Sequence, residues 1–201
     1  MWKKKGGVII NDTSVNLTTK LSNMGVKVYD SFNRANNASS MGNADTGQLW
    51  TYSDGSTWGI SSNAAKRMSG AEQLGRAWID SGISDVTVKC TFSTVARSMR
   101  VIFRATNDAN EWMFGEVASA GKYALGKRVA GVFTSVASTA TALAAGDRIR
   151  VTCKGSDIKC YVNGVLLASV NDTANQTATK CGLLCEALTT TYDEFSVEVS
   201  V

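Results

Sequence analysis

Strict alternation of apolar and polar residues recurs along this chain. Asp85 to Thr94 (DVTVKCTFST) places Val86, Val88, Cys90 and Phe92 on one parity and Thr87, Lys89 and Thr91 on the other, the period of a half-buried strand. The closing stretch sets Phe195, Val197, Val199 and Val201 against Glu194, Ser196, Glu198 and Ser200 in the same way. Between them, Arg148 to Val170 (RIRVTCKGSDIKCYVNGVLLASV) holds two alternating runs split by Lys154 to Asp157, then Asn163-Gly164, a strong hairpin signal. A plain turn at Lys154 to Asp157 makes Cys153 face Ile158, Val151 face Cys160 and Ile149 face Val162. The second turn sets Val162 against Val165 and Cys160 against Leu167. One face of this meander is then apolar, and the other carries Arg148, Arg150, Thr152, Lys159, Tyr161 and Leu166.

The remaining pattern is also that of strands. Arg76 to Ile79, Met99 to Ala105, Glu111 to Val117, Lys122 to Val129 and Val132 to Ala137 are joined by Asn/Asp/Gly turns, and Lys180 to Leu188 follows a polar loop. Trp50/Tyr52 and Trp58/Ile60, parted by Ser53-Asp54-Gly55, predict a hairpin with an aromatic face. Ala140 to Ala145 reads as a helical turn, a loop or an edge segment. About twelve short strands without any βαβ alternation predict two packed antiparallel sheets. Proline is absent, so Gly, Asn and Asp must supply the turns.

Charge and cysteine content narrow the function classes. The net charge is +4, partly from Lys3 to Lys5, and no basic stripe interleaved with aromatics follows, which argues against nucleic acid as a partner. No apolar run is long enough for a bilayer, and Met1 to Gly7 lacks the hydrophobic region of a signal peptide, so neither membrane nor export is expected. All 5 cysteines read as small buried thiols; Cys153 and Cys160 are diagonal in the predicted register and stay unbridged. Synthesis in a reducing cytoplasm fits. Histidine is absent, which excludes an imidazole base. Glu111 and Glu116, five apart on a strand, do not project to one face, and Asp193 adjoins Glu194, so no carboxylate pair for glycoside hydrolysis emerges. Arg100 and Arg104 share a parity and read as a solvated outer face.

The run from Asp85 to Val201 resembles the concanavalin A-like jelly-roll superfamily of laminin-G and glucanase type, particularly its branch in phage tail and virion proteins. The residues that carry the likeness are VIFRATNDANEW (Val101 to Trp112), KYALGKRVAGVFTSV (Lys122 to Val136), DRIRVTCKGSDIKCYVNGVLLASVND (Asp147 to Asp172) and CGLLCEA with YDEFSVEV (Cys181 to Val199). Asp30 to Trp50 looks like the strand and loop ahead of such modules in phage proteins. The resemblance implies an all-β, two-sheet antiparallel jelly-roll sandwich over residues 29–201, with residues 1–28 as an extended N-terminal arm. It also implies glycan binding in many relatives and glycoside hydrolysis in some. Aromatic faces stack on sugar rings, so the candidate glycan-binding residues are Trp50, Tyr52, Trp58, Arg104, Asn107 and Trp112, with Glu111 beside them. Calcium is common in the superfamily, and Asp30, Asp172 and Asp193 are hard donors; without clustered spacing, neither metal nor cofactor is expected.

The reading of the sequence is a non-enzymatic virion structural or decoration protein made in the host cytoplasm. Its arm, residues 1–28, docks onto other virion proteins or identical subunits. The alternative is a carbohydrate-binding tail or receptor-recognition module for cell-surface glycans, and a third reading is a glycoside hydrolase or lyase.

Overall fold

The computed structural model describes residues 24–53, 55–70, 74–117 and 121–201, with Thr19, Leu21 and Ser22. The arm predicted for residues 1–28, and its docking, lie mostly outside the described residues. Among the described residues of that stretch, Val26 already pairs with Glu198.

In chain order the strands are β1 (Val26–Asp30), β2 (Thr51–Tyr52), β3 (Thr57–Ser61), β4 (Ala64–Ser69) and β5 (Gly75–Asp80). Next come β6 (Val86–Thr94), β7 (Arg100–Asn107), β8 (Asn110–Glu116), β9 (Lys122–Val129) and β10 (Val132–Ala142). The chain closes with β11 (Asp147–Lys154), β12 (Asp157–Val162), β13 (Val165–Asn171), β14 (Lys180–Cys185) and β15 (Thr191–Val199). Every pairing is antiparallel. One sheet runs β13-β12-β11-β6-β15-β4-β3, with β1 also on β15; the other runs β10-β9-β8-β7-β14-β5-β2. This is the predicted two-sheet sandwich.

The alternating stretches supply its middle. Val86, Val88 and Phe92 of β6 are fully buried, as are Val151 and Cys153 of β11 and Phe195 and Val197 of β15. From the other sheet come Val101, Phe103, Trp112, Phe114, Leu183 and Cys185. Tyr192 meets Phe92 edge-on at 5.6 Å, and Tyr123 stacks on Phe114 at 5.4 Å.

The Arg148 to Val170 meander forms with the predicted register at β11 and β12: Cys153 opposes Ile158 and Val151 opposes Cys160. Asn163 (φ 51°) and Gly164 (φ 84°) make the turn, in the left-handed region that this two-residue connection requires. One expected pair is corrected. Cys160 faces Ala168 rather than Leu167, because a bulge follows the Tyr161 to Leu166 pair and skips Leu167.

Two further expectations change. The predicted aromatic hairpin does not form, because β2 joins β5 in one sheet while β3 joins β4 in the other. The hairpin partner of β3 is instead Ala64–Ser69, reached through Ser62 and Asn63 at φ 52° and 58°. Ala140 to Ala142 continues edge strand β10.

Candidate functional site

Three of the aromatics predicted to stack on sugars lie in the core. Trp58 and Trp112 are 0 % exposed and Trp50 is 2 % exposed, so none presents a ring to solvent and the expected platform is withdrawn. The indole Nε1 of Trp50 donates to Asp30 Oδ2 at 2.8 Å, that of Trp112 donates to the Ala174 carbonyl at 2.8 Å, and Trp58 packs against Tyr192. Trp58 of β3 and Trp112 of β8 turn inward from their strands, and Trp50 enters the core from just ahead of β2.

Arg104 and Arg100 are also corrected, since both are buried. Arg104 sits at φ 46° beside a register shift in the β7–β8 pair. Its guanidinium donates to the Ser84 and Gly155 carbonyls and to Asp85, which makes it a tie between the sheets. The Arg100 guanidinium donates to the Glu116 and Val117 carbonyls at 2.6 and 3.4 Å, and burial lowers its pKa to about 10. Asn107 is exposed, but its Oδ1 accepts from Ala109 N and Asn110 Nδ2 and so shapes the β7–β8 turn.

Tyr52 is partly buried, with its Oη accepting from Met41 N at 2.7 Å, and it borders a cleft of ≈ 480 Å³ on the seven-stranded sheet. Its walls include Tyr52, Ser53, Ser56, Leu74, Arg76, Trp78 and Asp108. Among the described tryptophans, Trp78 is the one that is not fully buried. Beneath it lie Ile102, Ala105 and Leu184, a small apolar cluster on the opposite side of the sheet from the main core. Lys180 Nζ stands 5.9 Å from the Trp78 ring.

Arg76 is fixed where the cleft meets the sheet. Its Nε donates to Glu111 Oε1 and Oε2 at 2.9 and 3.0 Å, its Nη2 donates to Oε1 at 2.7 Å, and its Nη1 donates to the Leu74 carbonyl. Burial pushes the Glu111 carboxyl up, against the downward pull of the Arg76 hydrogen bonds and charge. A charged pair held by three bonds has little freedom to follow a ligand, so it acts as a rigid polar floor. Gly75 keeps the cleft open at its base, where a Cβ would lie 2.4 Å from Arg67 Nε and 2.6 Å from Ser56 Oγ. Among the described residues the buried Trp78 Nε1 and Ser56 Oγ atoms have no hydrogen-bond partner.

Arg76 and Trp78 are not among the candidates read from the sequence, although the signal is present. In Gly75 to Asp80 (GRAWID), Ala77 and Ile79 take the core parity, which leaves a tryptophan between Arg76 and Asp80 on the polar parity. An aromatic residue among charges on the outward side is the mark of a surface ring. The carboxylates weighed for calcium have protein partners: Asp30 accepts from Phe32 N, Trp50 and Arg34, and Asp172 pairs with Lys127. Among the described residues no three His, Cys, Asp or Glu side chains gather to hold a metal. No described helix is long and apolar enough to cross a membrane.

No family model matches this chain, and no curated protein does. Solved structures do. A carbohydrate-binding module, CBM66 from Bacillus subtilis, superimposes with a TM-score of 0.57 at 19% identity, covering 74% of this chain and 94% of that one. Domain 4 of AbnA, a GH43 extracellular arabinanase from Geobacillus stearothermophilus in complex with arabinotriose, gives 0.58 at 12% identity, covering 87% and 92%. A Bacillus subtilis protein of unknown function with a galectin-like fold gives 0.55 at 14% identity, covering 75% and 89%. At these identities the likeness establishes the fold: the chain is an all-β jelly-roll sandwich of the concanavalin A-like, galectin-like type.

Proposed function

We propose that this chain is a non-enzymatic carbohydrate-binding module and that the cleft between Tyr52 and Trp78 holds the saccharide. The observation that carries the reading is Trp78, a tryptophan left partly exposed beside an ordered polar floor, on a chain whose other described tryptophans are all in the core. An indole face offers a sugar ring an apolar stacking surface, and the Arg76 guanidinium and the Ser53 and Asp108 side chains offer hydrogen bonds to hydroxyls. Two of the similar structures, a carbohydrate-binding module and an arabinanase domain with arabinotriose, support this direction.

Hydrolysis is the weaker reading, because it needs two free carboxylates across the bond to be cleaved. Here Asp108 stands at the wall, while both oxygens of Glu111 are engaged by Arg76. Decoration of a virion through residues 1–28 draws on the leader and on the Asp30 to Trp50 sequence, and no observation of the fold favours it over a saccharide ligand. A glycan array followed by titration of the best oligosaccharide tests the proposal. Saturable binding removed by Trp78→Ala and kept by Val132→Ala, an exposed position outside the cleft, is the expected result. Silence across the neutral glycans, or binding of a neutral glycan that is indifferent to Trp78→Ala, overturns it.

A further inference from the structure

The opposite face of the molecule holds a second groove, of ≈ 480 Å³, on the eight-stranded sheet. Its position follows from register. Tyr161 opposes Arg150, Arg150 opposes Lys89, Lys89 opposes Ser196 and Ser196 opposes Tyr29, so these side chains form one row across five strands. Arg148 stands one step further along β11, opposite Thr91.

The two walls differ in charge. On one side the Arg150 guanidinium lies 3.8 Å from the centroid of the Tyr161 ring, which fixes its plane while leaving its N–H edges for other partners. Arg148 is exposed. Its backbone is held by a reciprocal pair in which Arg148 N donates to Asn163 Oδ1 and Asn163 N donates to the Arg148 carbonyl, each at 2.9 Å. Among the described residues neither arginine forms an ion pair, whereas Lys89 is taken by Glu198 at 2.7 Å. On the other side Tyr29 Oη donates to Glu194 Oε2 at 3.1 Å, and Thr91 and Ser196 line the groove between.

We infer that this groove is a second binding site, which takes an acidic saccharide with its carboxylate against Arg148 and Arg150 and its hydroxyls toward Glu194 and Thr91. The guanidinium fork matches a carboxylate bidentately. Glu194 on the opposite wall repels a polyanion such as nucleic acid, while its oxygens accept from neutral hydroxyls. A ligand with one anionic group beside several hydroxyls satisfies both walls. The inference is independent of the reading given to the Trp78 cleft.

Titration calorimetry with oligogalacturonate and sialyllactose, against lactose and a random-sequence oligonucleotide, tests it. At least one acidic saccharide is expected to bind saturably. Affinity should fall about tenfold or more when Arg148→Gln and Arg150→Gln are combined, the scale of a lost charge-assisted bond, and Trp78→Ala should leave it unchanged. Both arginines are at the surface, and a matching thermal melt shows that the double variant is folded. Failure of both acidic saccharides to bind, retention of binding in the double variant, loss of binding in Trp78→Ala, or equal binding of the oligonucleotide would each overturn the assignment.

Discussion

Arg76 and Glu111 come from strands that are not neighbours in their sheet, yet they form a bidentate ion pair with a shortest contact of 2.7 Å and with 6 % and 0 % of the two side chains exposed. Removing one partner of such a pair strands the other charge in a poorly hydrated place. Arg76→Leu is therefore expected to lower the unfolding free energy by about 3–5 kcal/mol, measured by urea denaturation. Replacing Glu111 by Leu as well should recover much of that loss, since no buried charge is then left alone. A double variant no more stable than the single one would contradict this account.

The tryptophans divide into two kinds by burial. Trp58→Ala and Trp112→Ala each open a void in the main core and are expected to cost about 3–5 kcal/mol. Trp78→Ala removes a partly buried ring from a small satellite cluster, so its cost in stability should be smaller. Thermal melts of the three variants give the order directly.

The thiols are predicted to be inert. All five cysteines are buried and free, and burial raises the pKa of Cys153, Cys181 and Cys185 to about 12 and pushes Cys90 and Cys160 up as well. Thiolate is the reacting form. A disulfide reagent at mildly alkaline pH should label none of them in the native protein and all of them in denaturant. Rapid labelling of the native protein would show that a thiol is open to solvent.

Tyr29 supplies an alkaline signature. Partial burial, followed by the hydrogen bond to Glu194, raises its pKa from 10.0 to about 12. A folded value above the unfolded one favours the protonated fold, so this contribution is complete below pH 10 and is lost as pH rises toward 12. Following phenolate absorbance, Tyr29→Phe should remove one ionisation near the upper value, and Glu194→Gln should bring that ionisation down toward 10. An unchanged titration curve in both variants would refute the assignment.

How much was legible depended on whether a residue obeyed its strand's parity. Val86, Val88 and Phe92, and the Asn163-Gly164 turn, did so, and register and core followed from them. Arg104 did not, because its positive φ and the shifted register rotate it into the protein. The aromatic candidates failed for a different reason. Trp58 lies on β3 and Trp50 just ahead of β2, a short spacing that suggests a hairpin, while both rings enter the core; the ring pairs Trp50–Phe195 and Trp58–Tyr192 that hold them join residues far apart in the chain. The cleft draws on β2, β5 and the β7–β8 turn, a convergence made by strand order rather than by sequence proximity.

The central claim rests on Trp78, and its indole N–H resonance is the most direct test. In a heteronuclear NMR titration with a neutral oligosaccharide bound in the glycan array, the Trp78 indole cross-peak is predicted to move with saturation, while those of Trp50, Trp58 and Trp112 stay in place. Saturable binding that leaves the Trp78 signal unmoved, or that shifts the core indoles instead, would contradict the account.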